Sequence, residues 1–166
     1  MFNQFSIFTV ADKKDFDQLM KKFRSVKLKA GEVLFNQGDV GDTLFLVEEG
    51  SLEIIIQGDN KEQTVAVLKP GDIVGEMALV TKEVRSATVK TSEETRLLAL
   101  TKERFDEILK ADPKIAIQVV HNVAALLAKR LQTTNKLIDK IAQKNGGVSS
   151  SEIATLKKQL FERWDF

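Results

Sequence analysis

Residues 74–89 read Val74-Gly-Glu-Met-Ala-Leu-Val-Thr-Lys-Glu-Val-Arg-Ser-Ala-Thr-Val89. The stretch holds a Gly-Glu pair, a short apolar turn, a polar loop, and then Arg85-Ser86-Ala87-Thr88, which opens a strand-like run. Gly75 permits close backbone approach. Glu76 is expected to start a one-turn helix whose N–H groups suit an anion. Arg85 carries a planar donor fork matched to phosphate. Ionised Glu76 only accepts hydrogen bonds, which suits sugar hydroxyls. One acid, one base and one helix start together ask for a ligand with hydroxyl and phosphate side by side.

Around this stretch the texture is that of strands. From Val26 to Thr101, short β-branched and aliphatic runs are punctuated by turn signals: Val33–Phe35, Leu44–Val47, Leu52–Ile56, Thr64–Leu68, Ala87–Thr91 and Leu97–Leu100. Seven of the nine glycines fall between Gly31 and Gly75, so tight turns concentrate there. Glu49-Gly50-Ser51 and Gly58-Asp59-Asn60 read as hairpin loops. Many short strands at regular spacing predict a jelly-roll-like β-barrel or sandwich. Leu52, Ile54 and Ile56 share one face of their strand.

Helices flank the strands on both sides. Thr9-Val-Ala-Asp12 has capping-box spacing, and Phe16, Leu19, Met20 and Phe23 recur at helical intervals. A short helix is therefore expected from about Ala11 to Phe23, with its lysines in solvent. Downstream, Thr101-Lys-Glu-Arg104 opens a helix with Phe105, Ile108 and Leu109 as its buried face. Asp112-Pro113 breaks the chain and restarts it, and the new helix meets no breaker until Gly146-Gly147 ends it after Lys144. Ala116, Val120, Val123, Leu127, Arg130, Thr134, Leu137 and Ile141 alternate steps of four and three, a coiled-coil seam. A helix of about thirty residues spans about 45 Å, more than a small barrel covers, so a homodimer through helix 113–144 is expected. The tail begins a second small helix, with Ser149-x-x-Glu152 as its capping box and Ile153, Leu156, Leu160 and Trp164 on one face.

Composition narrows the function. The 166 residues carry 25 Lys and Arg against 24 Asp and Glu, a net charge of +1, which gives no bulk attraction to nucleic acid or membrane. The absence of cysteine excludes disulfides, thiol nucleophiles and Cys-based zinc sites. Met1 to Phe8 lack a basic n-region and a cleavage site, and no apolar run reaches membrane-spanning length, so the chain reads as cytoplasmic. His121, the one histidine, lies on the long helix, far from the strands that a metal-dependent jelly roll would use. No Ser/His/Asp set assembles around it, and it reads as a helix-face residue.

Gly75-Glu76-Met77-Ala78-Leu79, a loop, and Arg85-Ser86-Ala87-Thr88 resemble the phosphate-binding cassette of the cyclic-nucleotide-binding domain family. Gly31-x-x-Leu34-Phe35, Gly38-Asp39, Asp42, Phe45, Gly50 and Pro70-Gly71-Asp72-Ile73-Val74 carry the rest of the pattern, over roughly Val26 to Ala142. The resemblance implies a ligand set of Val74, Gly75, Glu76, Met77, Ala78, Arg85, Ser86 and Ala87. In that set Glu76 meets the ribose 2′-hydroxyl, Arg85 pairs with the cyclic phosphate, and backbone amides complete the cradle. Val84 stands where many members have Pro, and Ser86 where many cAMP sensors have Ala. The long helix, from Asp112-Pro113 to Asn135, is similar to the dimer helix of the bacterial catabolite activator protein group. That similarity implies adenine contacts from Thr134 and Asn135, with Asn replacing a family Ser, and a base wall of Ile54, Val65 and Val74. The group's winged helix-turn-helix domain has no counterpart in the short tail.

These readings together predict an α+β chain: a jelly-roll-like β-roll with a short N-terminal helix and a long C-terminal dimerisation helix. Residues 1–145 form the cyclic-nucleotide-binding domain and 146–166 a short helical tail. The expected function is a non-catalytic regulator that binds cAMP, with cGMP as the alternative, and couples binding to the arrangement of its dimer helices. The other readings are the sensor fragment of a larger signalling enzyme and a transcription regulator lacking its DNA-binding domain. The expected partners are the nucleotide, a second copy and a downstream effector protein or domain, without nucleic acid, membrane, metal or further cofactor.

Overall fold

The computed structural model describes residues 13–57, 62–81 and 83–144, without the side chains of residue 78 and of 137–144. The expected features at 9–12, 58–60 and 146–166, and the seam side chains of Leu137 and Ile141, lie outside the described residues. The chain divides into two compact units, residues 1–123 and 124–166.

In the first unit, helix α1 (Lys13–Met20) is followed by strands β1 (Arg24–Leu28), β2 (Val33–Phe35), β3 (Thr43–Glu49), β4 (Leu52–Gln57), β5 (Glu62–Leu68) and β6 (Ile73–Val74). Then come the one-turn helix α2 (Met77–Val80), strands β7 (Thr88–Thr91) and β8 (Thr95–Thr101), helix α3 (Lys102–Ala111) and the start of α4 (Pro113–Lys144). The strands make two four-stranded sheets, β1-β8-β3-β6 and β2-β7-β4-β5, with every pairing antiparallel. This is the expected β-roll.

Val47, Leu52, Val74, Val89 and Leu97 form a buried core cluster, with Val26, Leu34, Phe35, Phe45 and Ile54 among the residues packed against it. Each fully buried Val or Leu contributes about 1.5–3 kcal/mol. On the opposite face of β3 and β8, Leu44, Leu46 and Leu100 are also fully buried, and α3 packs on β8. Burial on both faces explains why Leu97–Leu100 is a continuous apolar run rather than an alternating one. Helix α3 begins at Thr101, whose side chain accepts from Arg104 N, an N-cap of the usual kind.

Three expectations need correction, and two strands were missed. Leu109 is 44% exposed, so the buried face of α3 is Phe105 and Ile108. The first helix ends at Met20, and Phe23, though buried, lies beyond a tight turn in which its N–H donates to Met20 O. Strands β1 and β6 were not evident as runs: β1 is an edge strand with only two apolar residues, and β6 has two residues in all. Glu49-Gly50-Ser51 is not a hairpin loop, because β3 and β4 belong to different sheets. It is the corner where the chain changes sheet.

Gly50 takes φ +83° there, a conformation that glycine adopts without strain. Ser51 N donates to Thr95 Oγ1 at 3.2 Å, and Ser92 N to Ser51 O at 3.1 Å, which pins the corner to the start of β8 and the turn before it. A Cβ on Gly50 would lie 2.5 Å from both Glu94 O and Thr95 Oγ1. Gly50→Ala should therefore lower the unfolding free energy by about 2 kcal/mol or more, read by urea denaturation. A loss near zero would mean that the corner relaxes freely.

Candidate functional site

Strand β6 delivers Gly75 and Glu76 to the edge of the first sheet, and α2 follows at once. Val74, 9% exposed, pairs with Phe45 of β3. Gly75 takes φ +74°, and a Cβ there would lie 2.4 Å from Arg85 Nη1 and 2.7 Å from Thr43 O. Close approach thus requires glycine, as the sequence suggested. Glu76 is only 5% exposed. Its main chain is already helical and its side chain does not cap α2, while its carbonyl accepts from Leu79 N at 3.1 Å.

Arg85 is held from its backbone outward. Its N–H donates to Asp39 O and its carbonyl accepts from Gly38 N, both at 2.8 Å. This docks the loop before β7 onto the turn between β2 and β3. That turn is closed by Asp39, whose Oδ2 accepts from Asn36 N at 2.8 Å. The guanidinium is buried, with Arg85 8% exposed. Nη2 donates to Thr43 O at 2.8 Å, Nη1 reaches Gly75 O at 3.5 Å, and Cζ sits 4.2 Å from the centroid of the Phe35 ring. Gly41 makes room beside it, since a Cβ there would fall 2.2 Å from Arg85 Nε.

The electrostatics are unusual for a buried cation. Burial pulls the Arg85 pKa below its ordinary value, and the charges of Asp42, Glu76 and Asp39 push it back up. The group stays protonated at neutral pH. Among the described residues no carboxylate comes within ion-pair distance of it. Buried charges are ordinarily paired. This one is solvated by carbonyls and a ring, with its counter-charges at longer range.

The other expected residues divide by position. Ala87 is 9% exposed and Ser86 exposed at the approach to β7, and Met77 and Ala78 belong to α2. Met77 exposes 39% of its surface. Ile54 packs against the core cluster. Val65, 49% exposed, is the residue that β5 skips where the register shifts opposite Ile54 and Ile55. Thr134 and Asn135 lie on α4 in the second unit, where Thr134 Oγ1 donates to Arg130 O at 3.0 Å. His121 is exposed on α4, and among the described residues no group of His, Asp or Glu is arranged to hold a metal. No described helix is long and apolar enough to cross a membrane.

Phe35, Gly41 and Thr43 touch the guanidinium but had no role assigned from sequence. Thr43 acts through its carbonyl, which any residue type supplies. Phe35 already stood in the pattern Gly31-x-x-Leu34-Phe35, and the spacing Gly38-Asp-Val-Gly41-Asp42 was the other visible signal.

Residues 25–112 match the model of the cyclic nucleotide-binding domain. The chain is 35% identical over 127 residues to a cyclic AMP receptor protein of Thermus thermophilus, covering 76% of this chain and 57% of that protein's length. The crystal structure of the Thermus thermophilus catabolite activator protein superposes with TM-score 0.73 at 33% identity, over 82% of this chain and 62% of that one. The regulatory domain of Toxoplasma gondii PKA, crystallised with cAMP, matches at 32% identity and TM-score 0.56, over 61% of this chain and 39% of that one. A buried arginine beside a Gly-Glu turn on a two-sheet β-roll thus has its place in a known class: the chain belongs to the cyclic nucleotide-binding domain family. It spans somewhat over half the length of the full-length Thermus receptor.

Gly41→Ala tests the packing. The backbone of Gly41 lies outside the positive-φ region, so alanine is tolerated by the main chain, and the nearest atoms it must displace belong to the Arg85 guanidinium. The variant should fold with a stability loss of no more than about 1–2 kcal/mol, yet bind cyclic nucleotide at least about tenfold more weakly, since one lost charge-assisted bond is worth about 1.5–3 kcal/mol. Calorimetric titration against wild type decides it. Unchanged affinity would mean that the guanidinium position is not needed.

Proposed function

We propose that this chain is a non-catalytic cAMP-binding regulatory domain that acts as a homodimer. The observation that carries the reading is the Arg85 guanidinium, buried with no carboxylate at ion-pair distance among the described residues. A singly charged cyclic phosphate supplies the missing partner, and a bidentate fork on a phosphate is among the stronger hydrogen-bonded pairs. Glu76, buried beside Gly75, accepts from the ribose 2′-hydroxyl. Val74, Met77, Ala78, Ser86 and Ala87 line the cradle, with Ile54 and Val65 on the base side.

The preference for adenine rests on the resemblance at Thr134 and Asn135. An Asn amide donates to adenine N7 and accepts from its exocyclic amine, whereas guanine presents O6 at that place. The Thr134 hydroxyl spends its proton on Arg130 O, which leaves it an acceptor, the role an exocyclic amine requires. Of the expected seam on α4, Ala116 and Val123 are buried within the chain, and the support for the dimer comes from Val120, which leaves 40% of its surface exposed.

Titration of the full chain with cAMP should give saturable binding at one site per chain, with cGMP weaker. Asn135→Ala should narrow that preference, by about 1–3 kcal/mol if the amide engages both atoms. Sedimentation should show a two-chain species, and prolonged incubation should return cAMP unchanged. Failure to saturate, or release of AMP above a blank, would overturn the reading.

A further inference from the structure

We infer that Phe35 is a positioning residue for the anion site: its ring face fixes the Arg85 guanidinium so that the donor fork is set before a phosphate arrives. The inference rests on the nucleotide reading above and adds to it the residue that holds the receptor in place.

Two carbonyls alone do not fix this group. Thr43 O receives Nη2 at 2.8 Å, but Gly75 O is 3.5 Å from Nη1, at the limit of a hydrogen bond. Both act on the edge of the guanidinium plane. The Phe35 ring adds a third support, with Cζ over the ring 4.2 Å from its centroid, well inside the range of a cation–π interaction. Carbonyls and ring together restrict the group, whereas an arginine held by one good bond would swing. Burial raises the worth of the contact, because a cation–π pair is stronger once water is excluded.

The backbone of β2 is built to place this ring. Val33 pairs with Lys90, whereas Phe35 pairs with Val89, so β2 advances two residues while β7 moves back one. This is a bulge at Leu34. Simple alternation would put Phe35 on the same face as Val33, which is 47% exposed. The bulge instead sets Phe35 opposite Val89, a member of the core cluster, and both Leu34 and Phe35 pack against that cluster. A bulge re-aims a side chain at the cost of a ladder bond, and here it turns the ring toward Arg85. Phe45 flanks the ring, with centroids 6.2 Å apart at 32°.

The ring's charge distribution is separable from its shape. In the full chain, residue 35 is replaced by phenylalanines with increasing fluorine substitution, which withdraw electron density from the ring face with little change in shape. Binding of cAMP should weaken stepwise, by about three- to thirty-fold at pentafluorophenylalanine. Phe35→Tyr should keep affinity within about twofold of wild type. In the ligand-free protein, the NMR signal of Arg85 Nε–Hε should carry a ring-current shift that Phe35→Leu removes. A residue that merely fills space would give the same affinity across the isosteric series. A pentafluoro variant that binds cAMP as wild type does, or an Arg85 signal indifferent to Phe35→Leu, overturns the role of Phe35. Wild-type protein that fails to bind cAMP would defeat the nucleotide reading instead, and the ligand-free NMR result would still decide whether the ring holds the arginine.

Discussion

The structure depends on keeping one guanidinium out of water. Burying a charge costs several kcal/mol even after relaxation, and the fold offsets that cost without cancelling the charge. Thr43 O and Gly75 O take two donors, the Phe35 ring covers a face, and Asp39, Asp42 and Glu76 act on Arg85 through the surrounding field. A direct carboxylate partner would be more stabilising for the empty protein and would occupy the fork that the proposed ligand needs.

Much of the surrounding architecture follows from that requirement. Strand β6 stops after two residues so that Gly75 can take its positive φ against the guanidinium. The β2–β3 turn bonds to both main-chain groups of Arg85 and includes Gly41, where a side chain would collide. The next peptide joins the same region to the helices: Asp42 O accepts from Lys102 N at 2.7 Å, at the first residue of α3. Gly41 and Thr43 therefore flank the residue that bonds to the start of α3.

The sequence revealed those parts whose cause is side-chain chemistry. The Gly75-Glu76 pair, Arg85, the capping Thr101 and the restart at Pro113 each need a particular residue type, and each lies where the residues indicated. Burial on two faces also left its mark, in the unbroken run Leu97–Leu100. What was not legible has its cause in the backbone or in pairing partners. A carbonyl such as Thr43 O has no signature. An edge strand like β1, solvated on one side and carrying two apolar residues, falls below the noise of the pattern. The corner at Gly50 looked like a hairpin because both need a glycine with positive φ, and only the sheet assignment of the flanking strands separates them. The bulge at Leu34 is hidden for a related reason: Val-Leu-Phe reads as three strand residues whichever way the third one points. Thr134 and Asn135 stand differently, as sequence matches to a family helix whose role in base recognition awaits its own test.

On the proposed function, Arg85 is held ready for an anion brought by the ligand. The most direct test of this is ligand-linked stability in wild type and Arg85→Met, a substitution that keeps the bulk and removes the charge. With cAMP at about a hundred times its dissociation constant, wild-type unfolding free energy should rise by about 2.7 kcal/mol. At the same concentration the folded Arg85→Met protein should gain almost nothing. An Arg85→Met variant stabilised by cAMP as strongly as wild type would contradict the account, because the phosphate would then be bound without the cation that the fold takes such care to bury.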